Sequence, residues 1–421
     1  MRSAMNLLLL FAAGMLVAFV VTYPLFLHLG SLLTFQSVGG EVRVVDQLHS
    51  IEYLTEARTS VINGRSLWDL TYQNSNYAIS RLYLLIGGVL AVFLSPIVAF
   101  NIYDLVIVML CFVTMFAYAR ESTHSVIASL FAGIVYAASN YSVHHIIDSN
   151  VASLYWIPLL FLLLDRTMTR SSRIWPLLLA GSCAGQLLSA ELYALYLFIV
   201  LPIYTIVAHA KRFARRDVWP RLGLCLIATL LSCSYFLWLR TTNVSRQYSD
   251  RQALAYSLSN FGDLVAPSSE VGLGIASGLA AAVGAVLLAP QSRTRCWALL
   301  AVALVSLLMM LGPFHPFAPY SLVEKVIPPF THTRTPLRFV VFLIFVVAVL
   351  SAHAIAAIEA RLASTKLRVS ALALLIVCIV TIDHAGSIYW VRKSDGQGIW
   401  TRTLEQVQRA PRLRFERDFI S

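Results

Sequence analysis

The chain has 421 residues, 58% of them hydrophobic and only 13% charged, with a mean hydropathy of +0.73. Its apolar runs are too long and too closely spaced for a water-soluble domain, and they satisfy their backbone polar groups only as helices in lipid. The net charge of +11 does not mark a nucleic-acid binder, because of where the cations sit.

Fifteen of the 32 Lys+Arg lie at the N-terminus or in short links between apolar runs, among them Arg120, Arg166, Arg170, Arg173, Lys211, Arg212, Arg215, Arg216, Arg221, Arg293, Arg295 and Arg361. That is the pattern of positive-inside anchors. The six cysteines all fall in or beside apolar runs and form no CxxC pair, so they suggest neither a metal site nor a disulfide framework.

The first apolar run, 5–27, is longer than a signal-peptide core and is expected as a retained span. About fifty polar residues follow, 28–81, before the next apolar stretch. Segment 82–100 is apolar enough to cross but contains Gly87-Gly88 and Pro96. If it crossed with the N-terminus inside, the short basic links would all move outside, so it is expected to be re-entrant or interfacial. The remaining spans are expected near 103–119, 124–141, 152–165, 174–190, 193–209, 222–239, 271–289, 296–311, 338–357 and 368–384. The fold class that emerges is all-α, a polytopic transmembrane helical bundle of about 11 spans over 1–384, with a short basic tail at 385–421. Three long polar loops, 28–81, 240–270 and 312–337, then share the outer side. No GxGxxG, GxxxxGK[ST] or HExxH motif occurs, so nucleotide hydrolysis and zinc proteolysis have no support.

Four stretches carry groups capable of chemistry. Asp46, in the first loop, either acts as general base on a hydroxyl or holds a divalent metal ion, or else it caps the amphipathic stretch 47–62. In Tyr141–Asn150, His144 and Asp148 are four apart and share a helical face, with His145 beside them. These side chains form an acid–base or metal pair, or are ordinary interfacial histidines. Glu191 and Asp104 interrupt apolar runs, where a carboxylate is costly unless paired or solvated. The strongest group is Arg334 and Arg338, two guanidinium forks four residues apart at the mouth of the span beginning near Phe339. They suit the phosphate of a lipid carrier, or they snorkel to headgroups. Tyr248 and Asp263 in the middle loop are further polar candidates.

The order of these landmarks resembles the GT-C superfamily of polytopic glycosyltransferases, nearest to its bacterial YfhO-like branch. The likeness covers about residues 5–360. It runs from Asp46 through Ala99–Tyr103, Tyr136–Tyr141, His145, Trp156–Leu159 and Tyr193 to Tyr248-Ser249, Asp263–Pro267, Leu311–Pro313, Pro328–Phe330 and Arg334–Arg338. Val45 precedes Asp46 where that family often has glycine, and the chain stops soon after its last span. The resemblance implies transfer of a sugar from a polyprenyl-phosphate donor to a glycan, lipid or protein acceptor at the outer face of the membrane. Asp46 would be the base or metal ligand, and Arg334 and Arg338 would hold the donor phosphate. Asp46, His145 and Arg334 are expected to line one outward cavity. A transporter or flippase of lipid-linked saccharides, or a non-catalytic membrane subunit, are the alternatives. The Gly/Pro breaks at 87–96 have no counterpart in the second half, which argues against the paired half-repeats common in transporters.

Overall fold

In chain order the helices are α1 (Arg2–Val21), α2 (Val45–Ile62), α3 (Arg81–Phe93), α4 (Pro96–Thr123), α5 (Val126–Ala137), α6 (Asn140–His145), α7 (Trp156–Thr169) and α8 (Ile174–Ser189). They continue with α9 (Glu191–Phe213), α10 (Trp219–Thr242), α11 (Ile275–Gln291), α12 (Arg293–Met310), α13 (Pro319–Val326) and α14 (Val340–Arg361). This computed structural model describes residues 2–22, 29, 32–33, 36–38, 41–43, 45–65, 81–145, 153–213, 215–216, 218–242, 257–266, 269, 271–327, 330, 335–362 and 402–403. Among the described residues the fold is all-α apart from two short antiparallel strand pairs, Gln36–Val38 with Glu41–Arg43 and Leu32–Leu33 with Arg402–Thr403.

Every expected span but one falls on a helix, and 368–384 lies outside the described residues. Among the described residues, four helical segments are long and apolar enough to cross a membrane: Pro96–Thr123, Glu191–Phe213, Arg293–Met310 and Pro336–Arg361. Shorter apolar helices fill the spaces between them. The chain is thus a multi-pass membrane bundle.

Segment 82–100 is not one piece. Helix α3 ends at Phe93, and Pro96 opens α4, with the Ser95 Oγ accepting a bond from the Val98 N–H at 3.3 Å. Proline lacks an N–H that the first helical turn would leave unpaired anyway, so Pro96 starts a helix here rather than kinking one. The first loop also contains a helix, α2, which packs on α3 and α4.

Helix α14 is the core. Residues 340–355 are buried around its whole circumference, as expected of a helix that is apolar on all sides. Helix α11 crosses it at Gly284, where a Cβ atom would collide with the Leu350 carbonyl oxygen. Helices α4 and α5 form an antiparallel pair that is also tight at Gly133, whose Cβ would lie 2.8 Å from the Phe112 ring. Their hairpin turns on His124, in the left-handed region at φ 58°, and on Ser125, which caps α5.

The basic links converge on one end of the bundle. Ser122 and His353 bond at 2.8 Å, and Ser125 donates to Glu359, so α4 and α14 run parallel and end together. Arg166 and Arg170 reach Glu121 at 2.9 and 2.6 Å and stack over Trp175. Arg212 donates to the Met168 carbonyl, and Arg221 donates to that of Arg170.

Beneath this surface lies an ionic node. Asp165 is buried and accepts from His209 Nε2 at 2.8 Å, from the Tyr204 hydroxyl at 3.1 Å and from Arg295 Nη2 at 3.3 Å. Tyr204 in turn bonds Tyr118, and Arg295 also reaches Ser122. Helix α9 leaves helical geometry at His209, with φ −122° and ψ 20°, at the point where the imidazole meets the carboxylate. A carboxylate taken out of water costs several kcal/mol, roughly, unless opposite charge and hydrogen bonds replace its hydration. The sequence presents Arg295 as a surface anchor. In the structure it is the counter-charge of this node.

Asp165→Asn keeps the shape but removes the charge facing Arg295, so it is expected to cost about 3–5 kcal/mol, read as early thermal unfolding in detergent. Arg170→Ala, in the more exposed Glu121 pair, is expected to cost under about 1 kcal/mol. Equal losses would mean that the node holds nothing together. Gly284→Ala is expected to destabilise by about 1–3 kcal/mol through overpacking against α14. Gly278→Ala, on the same helix with nothing within 4 Å of its would-be Cβ, is expected to be neutral or slightly stabilising in the same assay.

Candidate functional site

Because α4 and α14 end together at the basic face, their N-terminal ends mark the opposite end of the bundle. Asn101, near the start of α4, donates to the Leu29 carbonyl at 2.7 Å, so Leu29 sits against the bundle there. Helix α5 runs back to this end and delivers α6. Helix α9 starts there, and the 3₁₀ turn Pro336–Phe339 leads from it into α14.

A line of buried tyrosines joins the candidate residues of the two halves of the chain. The rings of Tyr141 and His145 are 4.3 Å apart, and the Tyr141 and Tyr193 hydroxyls bond at 2.9 Å. Tyr193 meets Tyr196 edge-on at 6.4 Å. Tyr196 stacks on Phe339 at 4.0 Å and donates its hydroxyl to the Thr335 carbonyl at 2.9 Å. Buried tyrosine packs its ring as a hydrophobe but needs a partner for its hydroxyl, and each of these finds one. Arg338 closes the same turn, its N–H bonded to Thr335 O at 3.1 Å, and its side chain is half-buried. His145 of α6 and Arg338 at the mouth of α14 therefore belong to one packed assembly.

The middle-loop candidate Asp263 lies on the 3₁₀ turn Phe261–Leu264, capped by Asn260, whose side-chain oxygen accepts from the Gly262 N–H at 2.8 Å. Two backbone bonds fix this segment, Leu273 N–H to Leu264 O at 2.8 Å and Leu258 N–H to Met310 O at 2.8 Å. Gly272 lies so close to α6 that a Cβ would come 2.9 Å from Asn140 Nδ2. A small cleft between α5, α11 and α14 opens beside this contact, lined in part by Ser139, Asn140, Gly272 and Ser277. Asp263 thus shares the end that carries His145 and Arg338.

Asp46 stands on the first turn of α2, and its side chain lies outside the described residues. The helix itself is held to this end by Tyr83, whose hydroxyl donates to Ser50 O at 3.2 Å and whose ring meets Tyr103 at 4.8 Å. Asp104, next in sequence to Tyr103, is fully buried. His144 is on α6 beside His145 and half-buried. Arg334, Asp148 and Tyr248 lie outside the described residues, and so does the expected cavity lined by Asp46, His145 and Arg334. Among the described residues no group of three or more His, Cys, Asp or Glu side chains could hold a metal ion.

Sequence reasoning marks Tyr141 and Tyr193 as landmarks but overlooks the line they form with Tyr196, and it overlooks the Asp165 node. Ionisable residues at the ends of apolar runs are the available signal for the node: Asp165 follows Leu162–Leu164, and His209 follows Val207-Ala208.

No family model and no curated protein matches the chain. Among solved structures, the crystal structure of ArnT from Cupriavidus metallidurans in the apo state aligns with 85% of this chain and 79% of its own, at 15% identity and a TM-score of 0.39. So shallow a likeness does not bear on the chemistry of the site.

Proposed function

We propose that the chain is a GT-C-type integral membrane glycosyltransferase that moves a sugar from a polyprenyl-phosphate donor to an acceptor, working at the outward end of the bundle opposite the basic links. The carrying observation is the buried link from His145 through Tyr141, Tyr193 and Tyr196 to the turn that bears Arg338. It supports a single site assembled from distant parts of the chain. Helix α2 with Asp46, held to the same end by Tyr83, supports a carboxylate approaching that site.

In this reading the acceptor oxygen attacks the anomeric carbon. The new C–O bond forms as the bond from that carbon to the phosphate oxygen breaks. The acceptor proton passes to Asp46, and the electron pair of the broken bond goes to the lipid phosphate. Arg338 and Arg334 stabilise the charge that develops there, the kind of electrostatic contribution that dominates many such reactions. A single displacement inverts the anomeric configuration. Tyr196 holds the arginine-bearing turn in place and touches no reacting atom.

One observation favours a second reading, a transporter or flippase of lipid-linked saccharides. The Asp165–Arg295–His209 node lies among membrane helices, and intramembrane ionisable groups often serve transport.

The purified protein is expected to convert a polyprenyl-phosphate sugar only when an acceptor is present. Asp46→Asn is expected to lower kcat by about 100-fold or more, the range of general base catalysis, with little change in donor KM. Arg338→Ala is expected to raise donor KM by about tenfold or more, since a charge-assisted bond to phosphate contributes about 1.5–3 kcal/mol. Unchanged turnover in Asp46→Asn removes that residue from the mechanism. Translocation of the donor across proteoliposomes without acceptor would replace the transferase with the transporter.

A further inference from the structure

Helix α12 presents an apolar stripe outward: Trp297, Leu304 and Leu308, spaced seven and four residues apart on one helical face, are all exposed. In a membrane bundle that face meets acyl chains. The exposure does not stop where the helix ends. Beyond Gly312, Phe314 is 57% exposed and Phe317 75%, and on α13 Leu322 is 44% and Val326 78% exposed. Leu322 and Val326 are one helical turn apart and share a face, while Tyr320 and Ser321 on the other side of the same helix are buried. Helix α13 is thus amphipathic in the wrong sense for a water-facing loop, since its outward side is the apolar one.

These side chains are not at the tip of a loose loop. The Ala318 N–H bonds His315 O at 2.8 Å, the Phe317 N–H bonds His315 Nδ1 at 3.2 Å, and Ser321 Oγ donates to His315 O at 3.0 Å. Lys325 Nζ donates to Pro316 O at 3.1 Å, tying the end of α13 back to the turn before it. Tyr320 anchors the platform inward, its ring edge-on to Phe330, which in turn lies against Tyr196. A network of this kind holds two phenylalanines and two aliphatic side chains pointing out of the protein. Water offers no reason to maintain that arrangement, because exposing so much connected apolar surface is unfavourable unless something covers it.

We infer that segment 313–326 is a membrane-interface anchor, whose apolar side dips into the boundary between headgroups and acyl chains of the leaflet at this end of the bundle. Two observations choose lipid over a protein partner. The exposed apolar residues follow closely in the chain on those of α12, the face that meets acyl chains in a membrane bundle, and the exposed Lys325 stands beside them, as in interfacial helices of this composition. The consequence is a depth assignment. Tyr320 of the segment is tied through Phe330 and Tyr196 to the turn that carries Arg338, so the anchor sets that guanidinium at the level of lipid phosphate. This stands whether the protein transfers sugars or transports them, because it concerns only where the platform lies in the bilayer.

The test uses the full chain in nanodiscs of phosphatidylcholine and phosphatidylglycerol, with the photocrosslinker benzoylphenylalanine introduced singly at Phe317 and at Val326, and at Leu308 as a lipid-facing reference. Both test positions are expected to yield phospholipid adducts by mass spectrometry at no less than half the Leu308 yield. Adducts to a second copy of the chain or to another protein, or no adduct while Leu308 reacts, would overturn the anchor. Hydroxyl-radical footprinting of the unaltered protein in the same nanodiscs gives an independent measure. Phe314 and Phe317 are expected to be oxidised as slowly as Phe198, which is exposed on the flank of α9. Oxidation ten times faster than that of Phe198 would place the segment in water and sink the inference.

Discussion

A carboxylate buried among apolar helices must be answered by charge and hydrogen bonds, and at Asp165 that requirement organises one end of the molecule. The groups that answer it come from elsewhere: His209 and Tyr204 from α9 and Arg295 from the start of α12, with Tyr118 and Ser122 of α4 bonded to these partners. His353 of α14 joins through Ser122. Helices that approach one another only through dispersion forces have little to fix their relative height in a membrane, because lipid tails are as apolar as leucine. A shared ionic node supplies that height. It brings the ends of α4, α7, α9 and α14 and the beginning of α12 to one level.

The opposite end is built from different interactions. Among the described residues, its links include tyrosine hydroxyls, backbone carbonyls and ring contacts. Neutral hydrogen bonds are cheaper to bury than ions, and a tyrosine ring fills space while its hydroxyl reaches a partner. The line from Tyr141 to Tyr196 therefore connects two distant stretches of chain without a salt bridge. Arg338 is left partly exposed at the end of that line. One end is therefore tied by an ionic node and the other largely by aromatic rings and neutral hydrogen bonds.

The helical organisation is legible because hydropathy reports directly on lipid burial. Spans near 103–119, 174–190 and 338–357 coincide with α4, α8 and α14 to within a few residues, apart from the longer N-terminal reach of α4. The segment 82–100 misleads for a local reason: Pro96 reads as a break within one element, whereas Ser95-Pro96 is a helix start. Arg295 misleads for a non-local one. Its neighbours in sequence make it look like a loop cation, and its partner Asp165 lies 130 positions away. The amphipathic platform at 313–326 is hidden because its exposed side is apolar, and in sequence it is indistinguishable from a buried turn.

By itself the sequence determined that this is a helical membrane protein with its cations gathered into short links, since both features depend on the composition of contiguous segments. It also pointed to His145, Asp263 and Arg338 as chemically able groups, because side-chain chemistry is readable one residue at a time. Only the tertiary structure decided that these three share one end of the bundle, that a line of tyrosines joins two of them, and that Asp165 and Arg295 neutralise each other at the other end. Those facts depend on distances between residues far apart in the chain, and no local pattern of hydrophobicity or charge encodes such distances.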